Sequence, residues 1–347
     1  MSVKIGPYSL ESEFRDDTDF DDLQDRLGLH PLSRRQLHFD PNNQETRLAA
    51  VYADDGTLIS VAFGESGGAV SASFGDDITL FRDFLSVNDQ NAVNIIRDDL
   101  RKWSQNRGAK EMLGPMSVDL SALRGVRMGT HTHTTALGLP DNPAYFSDLL
   151  EGCGFLPAQD LYSFRVEINP NARIAKLANY VRKRHPGITI RNFDTTAIES
   201  EIAHVVRIYN DAWSDHWGFI PLTETVLLQA FEAMQPLFKE ELAFFVMIDG
   251  VEQGVSIGIP NPTPLDPENP VKSVRGMLFG VAREFQKRGV DIMLIDNAYA
   301  ACQSNGFGEA EIGWILESNA SWLAQIKSVF RDQMIAENHF RIYQMQF

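Results

Sequence analysis

The 347-residue chain has few cysteines, no long apolar run and too little positive charge to balance its acids, and each lack removes a class of protein. No hydrophobic stretch approaches the roughly 20 residues that a membrane-spanning helix needs, so no membrane partner is expected. The N-terminal stretch carries Glu11, Glu13, Asp16, Asp17 and Asp19 without a basic-then-apolar segment, which argues against a secretory signal and for a cytoplasmic location. Cys153 and Cys302 fall in different halves, so a structural disulfide is not expected and both read as small buried apolar residues. A formal net charge of -16 repels a phosphate backbone, which argues against nucleic acid and favours a small or cationic substrate. What remains, with 44% hydrophobic and 22% charged residues, is a globular chain long enough for two domains. The one basic cluster, Arg182-Lys-Arg-His185, ends a helical stretch, where cations meet a helix C-terminus favourably; a docking patch is the other reading.

Periodicity in the second half predicts a strand at 188–193, helices at 199–213 and 223–237, and a hairpin of strands 242–248 and 255–259 around the turn Asp249-Gly250. Four prolines within 261–270 force a loop. A strand at 276–281, a helix at 291–305, a strand at 310–316, a helix from about 320 and a strand at 340–347 complete the order β-α-α-β-β-β-α-β-α-β. The first half repeats this faintly: strands at 48–53 and 58–63 around Asp55-Gly56, a third strand at 69–74, a helix at 90–107 and a closing strand at 161–168. The halves read as diverged copies, 1–168 and 169–347, of one mixed-sheet α/β fold.

The most informative stretch is Phe279-Gly-Val-Ala-Arg-Glu-Phe-Gln-Lys-Arg-Gly-Val-Asp291, where a strand ends in a basic, glycine-containing turn that opens a long helix. Lys287, Arg288, a flexible Gly289 and the backbone N–H groups of a helix N-terminus form a cradle for an anion. In the first half the corresponding stretch, Ser86-Val-Asn-Asp-Gln90, has neither glycine nor cation and reads as a degenerate copy.

Gln286, Gly289 and Asp291 occupy the places of a Gln/Arg-x-x-Gly-x-Gly/Ala pattern, and in that order of elements the turn resembles the acyl-CoA-binding signature of the GCN5-related N-acetyltransferase (GNAT) superfamily. Asp291 departs from the pattern and is expected to bring a carboxylate close to a bound pyrophosphate. Gly114-Pro-Met116, Asn142-Pro-Ala-Tyr145, Leu149-Leu-Glu-Gly-Cys-Gly-Phe155, Tyr209-Asn-Asp-Ala-Trp213, His216-Trp-Gly-Phe-Ile-Pro221 and Trp314-Ile-Leu-Glu-Ser-Asn319 are similar to stretches of bacterial tandem GNAT-like proteins. That resemblance implies two tandem GNAT-like domains, the N-terminal one degenerate, and an acyl-CoA-dependent N-acyltransferase using acetyl-CoA or another acyl-CoA on a small-molecule amine. It implies that Phe279, Gly280, Val281, Gln286, Lys287, Arg288, Gly289, Val290, Asp291 and Asn319 contact the cofactor, with the pantetheine arm beside strand 277–281 where it splays from the next strand. In many relatives an asparagine placed like Asn319 works with a tyrosine in the following helix; that helix here has no tyrosine.

Direct attack of an amine on a thioester needs a proton acceptor, a donor to the carbonyl oxygen and a proton for the thiolate. Glu317, at the end of strand 310–316, and His216 are the candidate bases, against capping and loop roles. Trp213, Trp217 and Phe219 are candidate walls of an acceptor site, against a simple staple of the loop to the core. His131-Thr-His133 has the spacing of a metal pair but no third ligand, so no metal is expected, and Gly64-Glu-Ser-Gly-Gly68 reads as a plain turn following a hairpin strand rather than opening a helix. The competing reading is a non-catalytic GNAT-like module that binds a ligand or protein; transfer from an aminoacyl-tRNA is a third, opposed by the acidic surface. A monomer or homodimer fits either.

Overall fold

Asp55-Gly56 and Asp249-Gly250 close two hairpins because their glycines, and Asp249 itself, accept the positive φ that tight hairpin turns demand (Gly56 89°, Asp249 51°, Gly250 82°). Each hairpin belongs to a different compact unit of the computed structural model, which describes residues 2–35, 40, 42–119, 122–131 and 133–347. One unit runs to Leu161 and includes His339–Phe347; the other is Tyr162–Asn338.

The first unit contains β1 (Ser2–Ile5), β2 (Tyr8–Glu11), α1 (Asp19–Arg26), β3 (Thr46–Ala53), β4 (Leu58–Glu65), α2 (Gly68–Phe74), β5 (Ile78–Ser86), α3 (Gln90–Asn106), β6 (Glu111–Gly114), β7 (Val126–Arg127), α4 (Phe146–Gly152) and the first half of β8 (Leu156–Glu167). Its strands run β1-β2-β3-β4-β5-β6, then the final half of the last strand of the chain. Ala92, Val93, Ile96 and Leu100, at helical spacing on α3, pack with Phe63, Phe81, Phe84 and Leu85 in its core. The stretch 69–74, expected as a strand, is the helix α2; its small Ala and Ser residues tolerate either form, only Val70 is buried, and Gly75 at φ 101° ends it. The third strand lies further on, as β5. The glycine-rich stretch 64–68 therefore does open a helix, against expectation, but one of only seven residues, and the Glu45 carboxylate packs over Gly67.

The second unit continues β8 and adds α5 (Ala172–Arg184), β9 (Ile188–Asn192), α6 (Ile198–Trp213), α7 (Glu224–Met234), β10 (Ala243–Ile248), β11 (Val251–Pro260), β12 (Ser273–Val281), α8 (Val290–Ser304), β13 (Glu309–Leu316), α9 (Ala320–Val329) and the start of β14 (Met334–Gln346). Strand order is β9-β10-β11-β12-β13-β8. Side chains alternate across this sheet: Phe244, Val246 and Val281 join α5, α8 and α9 in one core, while Ala243, Phe245 and Val255 join Val205 and Ile208 of α6 in another. Residues 339–347 of the last strand fall with the first unit. No helix among the described residues is long and apolar enough to cross a membrane.

Candidate functional site

β12 and β13 pair in parallel only from Ser273↔Glu309 to Gly276↔Ile312 and then part. Arg275 explains why the ladder stops there. Its buried guanidinium donates to the carbonyls of Gly276 (2.6 Å) and Gly313, the first beyond the last pair, so a side chain satisfies backbone that a continuing ladder would have used. Burial lowers this guanidinium to about 10, still charged at neutral pH, with the Glu311 carboxylate opposing the shift. Glu311 is itself buried and accepts from Ser163 Oγ (2.5 Å) and Asn338 Nδ2 (2.8 Å). Beyond the fork, the edge of β12 from 277 to 281 has no strand partner on the β13 side among the described residues, while its other edge pairs with β11, Ser256 opposite Phe279 and Gly254 opposite Val281.

The chain then turns into α8 through 283–289. Gln286 Nε2 donates to the Val281 carbonyl (3.0 Å), fixing the turn against the strand end. Lys287 (φ 60°) and Gly289 (φ 85°) are both left-handed, a conformation that turns successive amides to one side. Gly289 is the N-cap of α8 and has no side chain to bond the first N–H groups; Ile292 N–H donates to the Gly289 carbonyl (3.1 Å), which leaves those of Val290 and Asp291 without a side-chain cap. Glycine is needed for packing as well: a Cβ there would sit 2.7 Å from Val181 Cγ2 on α5. Lys287 and Arg288 are exposed, and among the described residues no carboxylate lies within ion-pair distance of either; Arg288 lies over the Phe285 ring at 5.5 Å. Val290 is buried beneath the turn. The Asp291 carboxylate accepts from Gln325 Nε2 of α9 at 2.5 Å.

Phe279 stacks on Trp322 of α9, centroids 5.2 Å apart. Gly280 lies directly under the Trp213 ring, where any side chain would collide with the indole. Trp213 in turn packs on Tyr209 (4.8 Å), which stacks on Phe219 (5.7 Å), so Trp213 and Phe219 belong to one aromatic cluster laid against the face of β12. Arg283 fastens this loop to the cradle turn: its backbone N–H and Nε donate to Asp211, its guanidinium bonds Ser214 and pairs with Asp215 (2.6 Å). His216 is half-buried in the same loop, and burial together with the Arg283 charge holds its imidazole below its ordinary value, neutral at pH 7. Trp217 is half-buried beside it.

Glu317 is exposed just past the end of β13, and Asn319 caps α9, its side chain accepting from Trp322 N–H at 3.3 Å. The candidate residues thus fall into a cradle group at 286–291, a strand group at 279–281 with Trp213 and the 214–219 loop against it, and a capping group at 317–319. Sequence reasoning missed Arg275, Tyr209 and Trp322. The first had a signal, an arginine and a glutamate inside two otherwise apolar strand runs.

Of the remaining candidates, His131 and His133 lie in a loop rather than a strand, and Thr132 is outside the described residues. His133 Nε2 is 3.0 Å from Arg127 Nη2, which puts a buried guanidinium where a metal would have to sit. Burial and Arg127 hold His131 down to about 4. Cys153 and Cys302 are free and buried, in different units, with burial pushing the thiols up to about 11 and about 12. Neither is a nucleophile.

A splayed strand pair with an open, cationic helix N-terminus at its mouth defines a class. The fold is that of the GCN5-related N-acetyltransferase (GNAT) superfamily, present here as two tandem copies. A GCN5-related N-acetyltransferase of Sphaerobacter thermophilus superposes with TM-score 0.59 over 99% of this chain and 97% of that one, at 14% identity. A tandem GNAT protein from the clavulanic acid biosynthesis pathway gives TM-score 0.56 over 98% of both chains, at 9% identity. In sequence, the chain is 26% identical over 261 residues to a bacterial ceramide synthase of Caulobacter vibrioides, covering 68% of this chain and 67% of that protein. No family model matches the sequence.

Proposed function

We propose that this chain is an acyl-CoA-dependent N-acyltransferase whose donor, acetyl-CoA or a longer acyl-CoA, is held by the second unit. Its acceptor is the amine of a long-chain amino alcohol. The observation that carries this reading is the N-terminus of α8: free of a side-chain cap, flanked by the exposed Lys287 and Arg288, and adjoining the edge of β12 that has no strand partner on the β13 side among the described residues. The acceptor class is drawn from the similarity to a ceramide synthase, ceramide being an amide of such an amino alcohol. The first unit is a degenerate copy without its own donor site, and the 1–168 and 169–347 halves reflect duplication of one fold.

The donor when bound supplies an acyl carbon activated as a thioester. Backbone N–H groups of 287–291 with the Lys287 and Arg288 side chains would receive its diphosphate, and the β12 edge from Phe279 to Val281 would receive the pantetheine and offer an N–H to the carbonyl oxygen. The attacking amine must shed a proton as its nitrogen bonds to the acyl carbon. His216, neutral at pH 7, is suited to accept it, and Glu317 can do so through water. Trp213, Trp217 and Phe219 wall the acceptor. With Asn319 engaged as a cap and no tyrosine in α9, the departing thiolate takes its proton from water.

The test is calorimetric titration with coenzyme A, acetyl-CoA and a long-chain acyl-CoA, followed by mass-spectrometric detection of amide from a sphingoid amine. Binding with amide formation is expected. Activity should fall on the acid side through a pH below the usual histidine range, and His216→Gln should remove that limb. Binding without amide from any amine tried, or no binding at millimolar ligand, overturns the transferase reading and leaves the non-catalytic module that binds another ligand or a protein.

A further inference from the structure

From Ile168 to Phe193 the chain has no aspartate or glutamate, although it holds 47 acids against 31 bases overall. The 13-residue helix α5 lies inside this window and carries Arg173, Lys176, Arg182, Lys183 and Arg184. A favourable meeting with the helix C-terminus accounts for the last three. It does not account for Arg173 and Lys176, which stand in the first turns, where the helix dipole disfavours a cation. Structural bonding accounts for others: Arg182 pairs with Asp296 (2.6 Å), Arg173 donates to the Ser328 carbonyl (2.9 Å) and Arg184 to Tyr180 Oη (3.1 Å). Lys176 and Lys183 have no hydrogen-bond or ion-pair partner among the described residues.

Ile174, Ala178 and Val181 bury one stripe of α5. The outward stripe sets Leu177, 37% exposed, and Tyr180, 60% exposed, between Lys176 and Lys183. An open depression of about 530 Å³ runs along it, lined by Ala172, Ala175, Lys176, Asn179, Tyr180 and Lys183. Unpaired cations alternating with an aromatic and an aliphatic side chain are what an interfacial helix presents: ammonium groups reach lipid phosphates while Tyr and Leu enter the headgroup boundary. A soluble polyanion would satisfy the lysines but leave Leu177 and Tyr180 wet.

We propose that the outer face of α5 docks the protein on an anionic bilayer surface. The stretch 168–193 brings no carboxylate of its own to the contact, and the Asp296 carboxylate beside α5 is already paired with Arg182. Docking stands apart from the transferase reading, because it is measured without donor or acceptor.

The experiment is co-sedimentation of the full chain with vesicles of phosphatidylcholine alone or mixed with phosphatidylglycerol, at low and high salt. Binding to the mixed vesicles only, weakened by salt, is expected. Each basic residue near such a surface is worth about fivefold in partitioning, so Lys176→Glu with Lys183→Glu should lower it at least about fiftyfold. Tyr180→Ala should lower it a few-fold at either salt concentration. Both changes are on exposed side chains, and an unchanged thermal midpoint shows that the fold is kept. Equal binding by the double variant, binding to phosphatidylcholine alone, or capture of an acidic carrier protein in place of vesicles would overturn the proposal.

Discussion

The helices α3 and α8 each follow a strand that has just parted from a parallel neighbour, yet their N-termini are chemically opposite. At α3 the N-cap is Asp89, whose carboxylate accepts from the N–H groups of Asn91 (2.9 Å) and Ala92 (3.2 Å) and from Tyr8 Oη (2.9 Å). The site an anion would use is filled by the chain's own anion. At α8 the N-cap is Gly289, with nothing to offer but backbone. The strands differ in the same sense. β5 pairs with β6 over Ile78–Leu80, after which Met116 N–H takes the Phe81 carbonyl (2.8 Å), closing the edge; the edge of β12 beyond Gly276 is left without a strand partner. In one unit an acid at the cap and a returning backbone segment thus occupy what the other leaves to backbone alone.

The largest effect should come from the open end. Lys287→Glu combined with Arg288→Glu replaces two donors to a diphosphate with two repelling charges. At about 1.5–3 kcal/mol for each charge-assisted bond, coenzyme A affinity should fall at least about a hundredfold by calorimetry. These side chains are exposed, so the thermal midpoint should hold. Gly289 is a poor place for this test: a side chain there meets Val181 and is forced to φ 85°, so lost binding would not be separable from a damaged fold.

The closed end gives a smaller, different response. Asp89→Ala should destabilise the first unit by about 1 kcal/mol, as loss of an N-cap does, seen as a lower thermal or denaturant midpoint. Coenzyme A stoichiometry should stay at one per chain, because emptying the cap supplies neither the glycine turn nor the cations. Two bound per chain would mean that Asp89 alone distinguishes the units.

Much of this contrast was legible in the sequence. The glycine and two cations of 286–291 marked the open cradle, and their absence from 86–90 marked the degenerate copy, because turn chemistry is local and residue types report it directly. The Asp-Gly hairpins were legible for the same reason. The helix at 68–74 was not: Ala-Val-Ser-Ala-Ser-Phe alternates apolar and polar well enough to pass for a strand, and flanking glycines break either form. Arg275, which stops the β12–β13 ladder, was also hidden. Its role depends on carbonyls of Gly276 and Gly313 brought together across two strands, and no single window of sequence contains them.

Two aspartates at helix N-termini, Asp89 at the cap of α3 and Asp291 in the first turn of α8, sharpen the comparison furthest. Asp89 and Asp291 both stand where a carboxylate gains from a helix N-terminus, and residue type alone would assign them one role. Asp89 turns back onto its own amides; Asp291 turns away, its Oδ2 held by Gln325 on α9. A carboxylate facing a bound diphosphate would cost up to about 1 kcal/mol, so its removal would raise affinity about fivefold. One engaged with the neighbouring helix should be nearly silent toward the ligand. Asp291→Asn, which keeps an oxygen acceptor for Gln325, should therefore change coenzyme A affinity by less than about threefold, with a stability loss of about 0.5–1 kcal/mol as a charged bond becomes a neutral one. A gain in affinity of about fivefold or more would show that the carboxylate swings into the cradle when the α9 tie is given up, and the two helix N-termini would then differ by degree of self-occupation rather than in kind.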